Sequence, residues 1–473
     1  MRLRTALVIT VTMLLTLCAS AGATPLRFTT PVKLLGGSGG EPSIATDPFG
    51  DVFVASPQGI PSGVNGESGT AMWISRNDGR SFGKALNLGS YLGGGDDDVI
   101  VANKVVYTAD LEAAATDVCK STNRGKTFES IGPLPDPNAC SKVGLGQAAP
   151  SDDRPWLTGD THGHLYLTYH EFVSAQPLAF RSDNGGNDLF SHACGPIVTD
   201  PAIEANVPQD VTGGTLVARP VVDKAGNFYI LFATTTQQQN AAAAAAGQPS
   251  GTFSQLYLAV SHDHCQSFTD YTVFDGSKLG TNTVQFGDIF NDMTIDPAGN
   301  LYVIGDGFIG KKPFATTANV YMLRSTSKGK TWSKPLLIGH TNAAYMLPAA
   351  VAGPKAGDLT IGFFRTVNGV TDPNSLKGKW RYSMAESDTA AAAHPHFTDA
   401  DVASTIFHTG QICNAGILCG LPGEPSDRSL LDFSSAALDK HGCTLFTFAG
   451  NTPKSEANNQ TWDYVTRQTS DCA

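Results

Sequence analysis

Charge is scarce in this 473-residue chain, and positive charge scarcest: 16% of residues are charged, with 32 Lys and Arg against 43 Asp and Glu. Soluble domains more often reach ~25%. A net formal charge of −11 argues against binding a phosphate backbone, which draws on clustered Lys and Arg. Helical periodicity is nearly absent, which excludes a bundle. Beyond the N-terminus no segment is apolar over the ~20 residues a membrane helix needs. The cysteines lack the close paired spacing of a zinc site. What fills the chain instead is Gly, Ser, Thr and Asn, the makeup of a turn-rich all-β protein.

The first residues carry Arg2 and Arg4, an apolar run from Ala6 through Leu17, then Ala21-Gly22-Ala23. These are the three regions of a secretory signal peptide, with cleavage expected after Ala23, so residues 1–23 are set apart from a single domain over 24–473. The reading is of a secreted, extracellular protein. Eight cysteines then remain, an even number that suits disulfides in an exported chain. Sequence neighbours suggest Cys119–Cys140, Cys413–Cys419 and Cys443–Cys472; Cys194–Cys265 follows by elimination.

One short segment recurs. Ser75-Arg76-Asn77-Asp78-Gly79-Arg80-Ser81-Phe82 is echoed at Ser121–Phe128 and Ser325–Trp332, and more loosely at Ser182–Leu189 and Ser261–Phe268. A second element precedes it: a short strand, an Asp-x-x-Gly turn and another strand, as in Pro42–Gly50, Pro155–Gly163, Val222–Gly226, Asp296–Gly299 and Asp439–Gly442. Asp at the first turn position accepts a backbone N–H, and Gly at the fourth tolerates positive φ. Degenerate copies at Asp98–Asn103 and Pro348–Gly353 bring the units to seven, beginning near residues 42, 98, 155, 218, 291, 348 and 434. Each supplies four antiparallel strands, so the expected fold is all-β, a seven-bladed β-propeller. Six blades is the alternative, if a degenerate copy is a loop. The last unit lacks a fourth strand, which Leu26–Leu35 is expected to supply. Insertions fall near 237–247, with its run of alanines, and 385–424.

In a propeller the residues ahead of each unit's first strand meet at one mouth of the central channel. These are Glu41, Asp96, Asp97, Asp98, Asp153, Arg154, Arg219, Asp292 and Asp427 through Asp432. Glu41, Asp153 and Asp292 are the candidate acid, base or nucleophile of a glycosidic cleavage. Arg154, Arg219 and Arg428 can clamp a substrate carboxylate, and Trp156 offers an apolar platform. Tyr464 is a further candidate nucleophile. No cofactor is implied beyond Ca²⁺, for which Asp96, Asp97 and Asp98 are the candidate ligands.

The Ser/Thr-rich turns resemble the Asp boxes, or BNR repeats, of sialidase-like propellers. Glu41-Pro42-Ser43-Ile44-Ala45 and Asp153-Arg154-Pro155-Trp156-Leu157 also resemble segments of bacterial secreted proteins of that group. The resemblance implies an arginine triad, an Asp acid/base and a Tyr–Glu nucleophile pair. The stretch before Ser75 has no Arg-Ile-Pro segment: Arg27 stands alone and Glu41 occupies the strand start. Arg219, with Arg365 or Arg428, and Tyr464 would be the later members. The sequence thus leaves three readings: a secreted glycoside hydrolase or polysaccharide lyase, a non-catalytic propeller binding an extracellular glycan or protein ligand, and an exo-sialidase. A monomer is expected.

Overall fold

The computed structural model describes residues 26–472 apart from 37–38, 59–68, 89–94, 113–114, 132–139, 141–151, 172–173, 206–214, 246–252, 277–283, 286–289, 310–316, 414–418, 420–426, 457–459 and 471. The expected signal segment 1–23 lies outside the described residues.

Seven antiparallel sheets follow one another along the chain. Their first strands are Ser43–Thr46, Asp97–Ala102, Asp152–Gly159, the pair Leu216–Val217 and Val221–Val222, Asn291–Ile295, Tyr345–Ala352 and Ser435–Leu438. These contact one another in cyclic order, and the seventh returns to the first. The fold is a seven-bladed β-propeller, so the six-bladed alternative is excluded. Both degenerate copies form full blades.

The N-terminal strand Val32–Lys33 closes the ring. It pairs with Trp462–Arg467 as the outermost strand of blade 7, Val32 opposite Val465. Blade 3 departs from the four-strand plan: it has three strands, with only a bridge from Phe180 to Ala193 beyond them. The neighbouring Cys194 is tied to Cys265 of blade 4, holding this outer edge in place. The other three disulfides also form as expected: Cys119–Cys140, Cys413–Cys419 and Cys443–Cys472. The stretch 385–424 is less of an interruption than expected, since Lys379–Ser387 and Thr398–Asp401 are the third and fourth strands of blade 6. Within 237–247 lies a helix, Gln237–Ala245.

The two repeated turns share a hydrogen-bond scheme. In the Asp-x-x-Gly turns one carboxylate oxygen accepts two backbone N–H groups. Asp296 takes those of Ala298 and Asn300, both at 2.9 Å, and Asp47, Asp160, Asp223 and Asp439 do the same in their blades. In the second turn the Ser hydroxyl accepts from the N–H four residues on, at 3.0 Å for Ser75–Gly79, 2.8 Å for Ser121–Gly125 and 2.9 Å for Ser325–Gly329. Gly79, Gly125 and Gly329 have φ near +80° and leave no space for a Cβ, which would strike Leu445, Ile74 or Leu258 of the preceding blade. The turn is therefore a blade-to-blade contact. Ser325→Ala orphans the buried Gly329 N–H and should cost about 1–3 kcal/mol, read as a lower midpoint at unchanged slope in urea unfolding.

Candidate functional site at the channel mouth

A ring of first strands presents unpaired backbone N–H groups on its inner edge, and unpaired strand edges must be satisfied or covered. Side chains of the preceding blade meet several of them. Ser435 Oγ accepts from Ile44 N at 3.4 Å, Ser43 Oγ from Val99 N at 3.1 Å, Asp98 Oδ2 from Leu157 N at 2.9 Å, and Asp292 Oδ2 from Ala350 N at 2.8 Å. In each case a polar residue early in one first strand caps the next blade's corresponding N–H. Across the channel from blade 4, Arg219 binds three of these blades together. Its Nη1 donates to Ser435 Oγ at 3.1 Å, and its Nη2 to Ser43 Oγ at 3.2 Å and Asp98 Oδ1 at 3.0 Å. The guanidinium lies 4.9 Å from the centre of the Trp156 ring. Burial raises the carboxyls of Asp98 and Asp292, with Arg219 opposing the shift in both.

A second group gathers on blades 1, 2, 3 and 7. Glu41 and Arg154 each stand immediately before a proline, and both have left-handed backbones, with φ of 49° and 56°. Pre-proline residues favour extended backbone, and positive φ costs a non-glycine residue about 1–3 kcal/mol. At Arg154 the strain coincides with a bulge between Asp153 and Trp156, the kind of irregularity that re-aims a side chain. Both side chains arrive at Asp432. Glu41 Oε1 accepts from Asp432 N at 3.0 Å, and Arg154 Nη2 is 3.6 Å from Asp432 Oδ2. Arg428 holds the same carboxylate with Nε at 3.2 Å and Nη2 at 2.6 Å, and its Nη2 is 3.7 Å from Glu41. The Phe433 ring covers the cluster, 4.8 Å from the Arg154 guanidinium and edge-on to Trp156 at 5.1 Å.

The protonation pattern follows from burial. Glu41 is pushed well above the carboxylate range by desolvation, then by Asp96 and Asp432 and by a hydrogen bond to Asp96. Asp96 rises to about 6, first through burial and then through Asp153. Glu41 is thus the proton donor of a carboxyl–carboxylate pair. Desolvation lowers His170, which faces Asp153 across the bulged strand pair and is held neutral.

The structure therefore brings Glu41, Asp96, Asp153, Arg154, Arg428 and Trp156 to one mouth, with Arg219 and Asp98 beside them. It does not gather the three proposed calcium ligands. Successive residues of a strand face opposite ways, so Asp97 turns to Thr70 and Asp110 while Asp98 turns to Ser43 and Arg219. Asp292 caps the blade 6 edge. Tyr464 lies in the aromatic core, edge-on to Phe407 and stacked on Phe448, and Arg365 pairs with Asp399 and Asp401 within blade 6. His170, Phe433, Asp110 and the buried Asp463 escape sequence reading. For His170 and Asp110 a signal existed, a polar residue at the far end of the second strand.

No family profile and no curated protein sequence matches this chain. Solved structures do. An ulvan lyase bound to -[GlcA(1-4)Rha3S]- superposes with a TM-score of 0.52 at 9% identity, covering 89% of this chain and 93% of that one. A protein of unknown function from Dyadobacter fermentans gives 0.49 at 12%, covering 94% and 98%. The NanB sialidase of Streptococcus pneumoniae gives 0.45 at 11%, covering 94% and 71%. At such identities the likeness is one of fold alone. Among the described residues no helix is long and apolar enough to cross a membrane.

Two outcomes follow. Arg219→Leu leaves Asp98 buried without its cation and should cost about 3–5 kcal/mol; adding Asp98→Asn should recover part of this, as chemical denaturation would show. Asp96 and Asp463, the latter raised to about 8 by burial, bind their protons more tightly folded than unfolded. Their contribution is complete below the ordinary carboxylate value of ~4 and declines as pH climbs to the folded values. Unfolding free energy should fall between pH 4 and 8, and Asp463→Asn should flatten that slope.

Proposed function

We propose that this is a secreted carbohydrate-active propeller that works at the mouth built by Glu41, Asp96, Asp153 and Arg154, cleaving a glycosidic bond by general acid–base chemistry. Glu41 is the proton donor, recharged through Asp96. Asp153 is the carboxylate that completes an acid–base pair. Arg428 and Arg154 hold the local charge and orient an anionic sugar, and the half-buried Phe433, backed by the buried Trp156, is the apolar surface against which a sugar ring packs. The observation that supports this reading is convergence: Glu41 and Arg154, from blades 1 and 3, both reach the Asp432 carboxylate or its backbone. The left-handed pre-proline backbone they share recurs at Leu347 before Pro348 in blade 6, so it belongs to the repeat, and only the charged side chains are particular to this mouth. The fold shared with a lyase bound to a glucuronate-containing saccharide agrees with an anionic glycan as ligand.

A second reading, a binding propeller without turnover, is favoured by the 5% exposure of Glu41 and 4% of Arg154. In that case the same groups clasp blades 1, 3 and 7, and ligand sits on the rim above them.

A turnover screen of the purified protein on neutral and uronate-containing polysaccharides separates the two. Hydrolysis or elimination should be lost by about 10²-fold or more in Glu41→Gln, as expected on removing a general acid, with the fold intact by circular dichroism. Turnover unchanged in a Glu41→Gln, Asp153→Asn double variant would eliminate this site. Glycan binding without turnover across the panel would establish the binding reading.

A further inference from the structure

We infer that the face opposite the mouth carries a transition-metal site, built where the turns of blades 3 and 4 meet, with His164, His264 and His162 as imidazole ligands and Asp183 as a carboxylate ligand for Zn²⁺. Four of the chain's 11 histidines occupy these two turns: His162 and His164 in the Asp-x-x-Gly turn of blade 3, His262 and His264 in the Ser-containing turn of blade 4. Neither turn requires them. The equivalents of His162 and His164 are Ala225 and Asn227 in blade 4 and Ala298 and Asn300 in blade 5, with the same hydrogen bonds to Asp. His264 corresponds to Asp78, Arg124 and Lys328 in other blades.

One pair of donor atoms already faces across the gap, His164 and Asp183. Asp160 Oδ2 lies 2.6 Å from His164 Nδ1 and 3.5 Å from His162 Nδ1. The 2.6 Å contact fixes His164 Nδ1 as the nitrogen that carries the proton, so its Nε2 presents the lone pair toward Asp183. A carboxylate behind a ligating imidazole is the usual outer partner at zinc sites. His164 Nε2 stands 3.7 Å from Asp183 Oδ1. Two ligands at about 2.0–2.2 Å from a tetrahedral zinc are separated by roughly 3.3–3.6 Å, so this gap is close to the span the ion would bridge. The His264 ring is 5.1 Å from the His164 ring and the His162 ring 6.3 Å, centre to centre. His162 and His264 are exposed, so their rings are free to rotate toward the ion. The backbone under His264 is pinned, since Arg181 Nη1 donates to its carbonyl at 2.5 Å. Arg181 also pairs with Asp183, leaving Oδ1 as the oxygen that faces His164. Mixed imidazole and carboxylate donors suit Zn²⁺ and exclude the hard, all-oxygen preference of Ca²⁺.

This site is independent of the mouth chemistry. The experiment is calorimetric titration of the full, untagged protein with Zn²⁺, paired with electron paramagnetic resonance of the Cu²⁺-loaded form. One equivalent of Zn²⁺ and nitrogen couplings from at least two imidazoles are expected. His164→Ala and His264→Ala should each weaken Zn²⁺ binding about 10-fold or more, and Asp183→Asn less. His441→Ala, at the corresponding turn of blade 7, should change nothing. Undiminished binding in the His164→Ala, His264→Ala double variant, or no heat at a millimolar concentration of the ion, would overturn the assignment. Unchanged melting temperatures of the metal-free variants would show that lost binding is not lost fold.

Discussion

Closure of the ring rests on how the inner edges of seven sheets are satisfied. In blades 1, 2, 3 and 6 an N–H at the start of the first strand is capped by Ser435, Ser43, Asp98 or Asp292 from the blade before. Arg219 then crosses the channel from blade 4 and binds Ser435, Ser43 and Asp98 together. The guanidinium suits this task, since its donors lie in a fixed planar fork and stay charged in a desolvated place. Without it the buried Asp98 would face the low-dielectric interior with hydroxyl and amide donors alone.

The same crossbar divides the polar residues of the channel by role. Asp98 and Asp292 are committed to strand edges, so their charge is a structural matter. Above them, Glu41, Asp96, Asp153 and Asp432 crowd more carboxylates than Arg154 and Arg428 can neutralise. Burial first, and then these neighbouring carboxylates, make Glu41 and Asp96 titrate high. A neutral acid beside an ionised one is what acid–base chemistry at a sugar linkage uses. In the proposed function, the buried acids that lower stability toward neutral pH are the groups that would serve acid–base chemistry at the mouth.

Much of the architecture was legible from residues, because both repeated turns encode their hydrogen bonds locally. Asp47, Asp160, Asp223, Asp296 and Asp439 accept from amides two and four positions on, and Ser75, Ser121 and Ser325 from the glycine four on. Sites were legible in part, since the start of a propeller's first strand always faces the channel. The roles were not. Asp96, Asp97 and Asp98 read as one acidic cluster, yet strand alternation sends them to separate partners. Tyr464 reads as a reactive phenol, yet its ring is packed in the aromatic core, stacked on Phe448 and edge-on to Phe407.

The sequence by itself determined the seven units, their turns, the disulfide pairs and the closing strand, all consequences of local spacing or of counting. Tertiary structure alone decided that Arg219 of blade 4 meets Ser43 and Asp98, that Glu41 and Arg154 converge on Asp432, and that His164 lies beside His264. Those contacts join residues as many as 391 positions apart. They arise from wrapping the sheets about an axis, and burial at that axis sets each group's charge, which no stretch of neighbouring residues specifies.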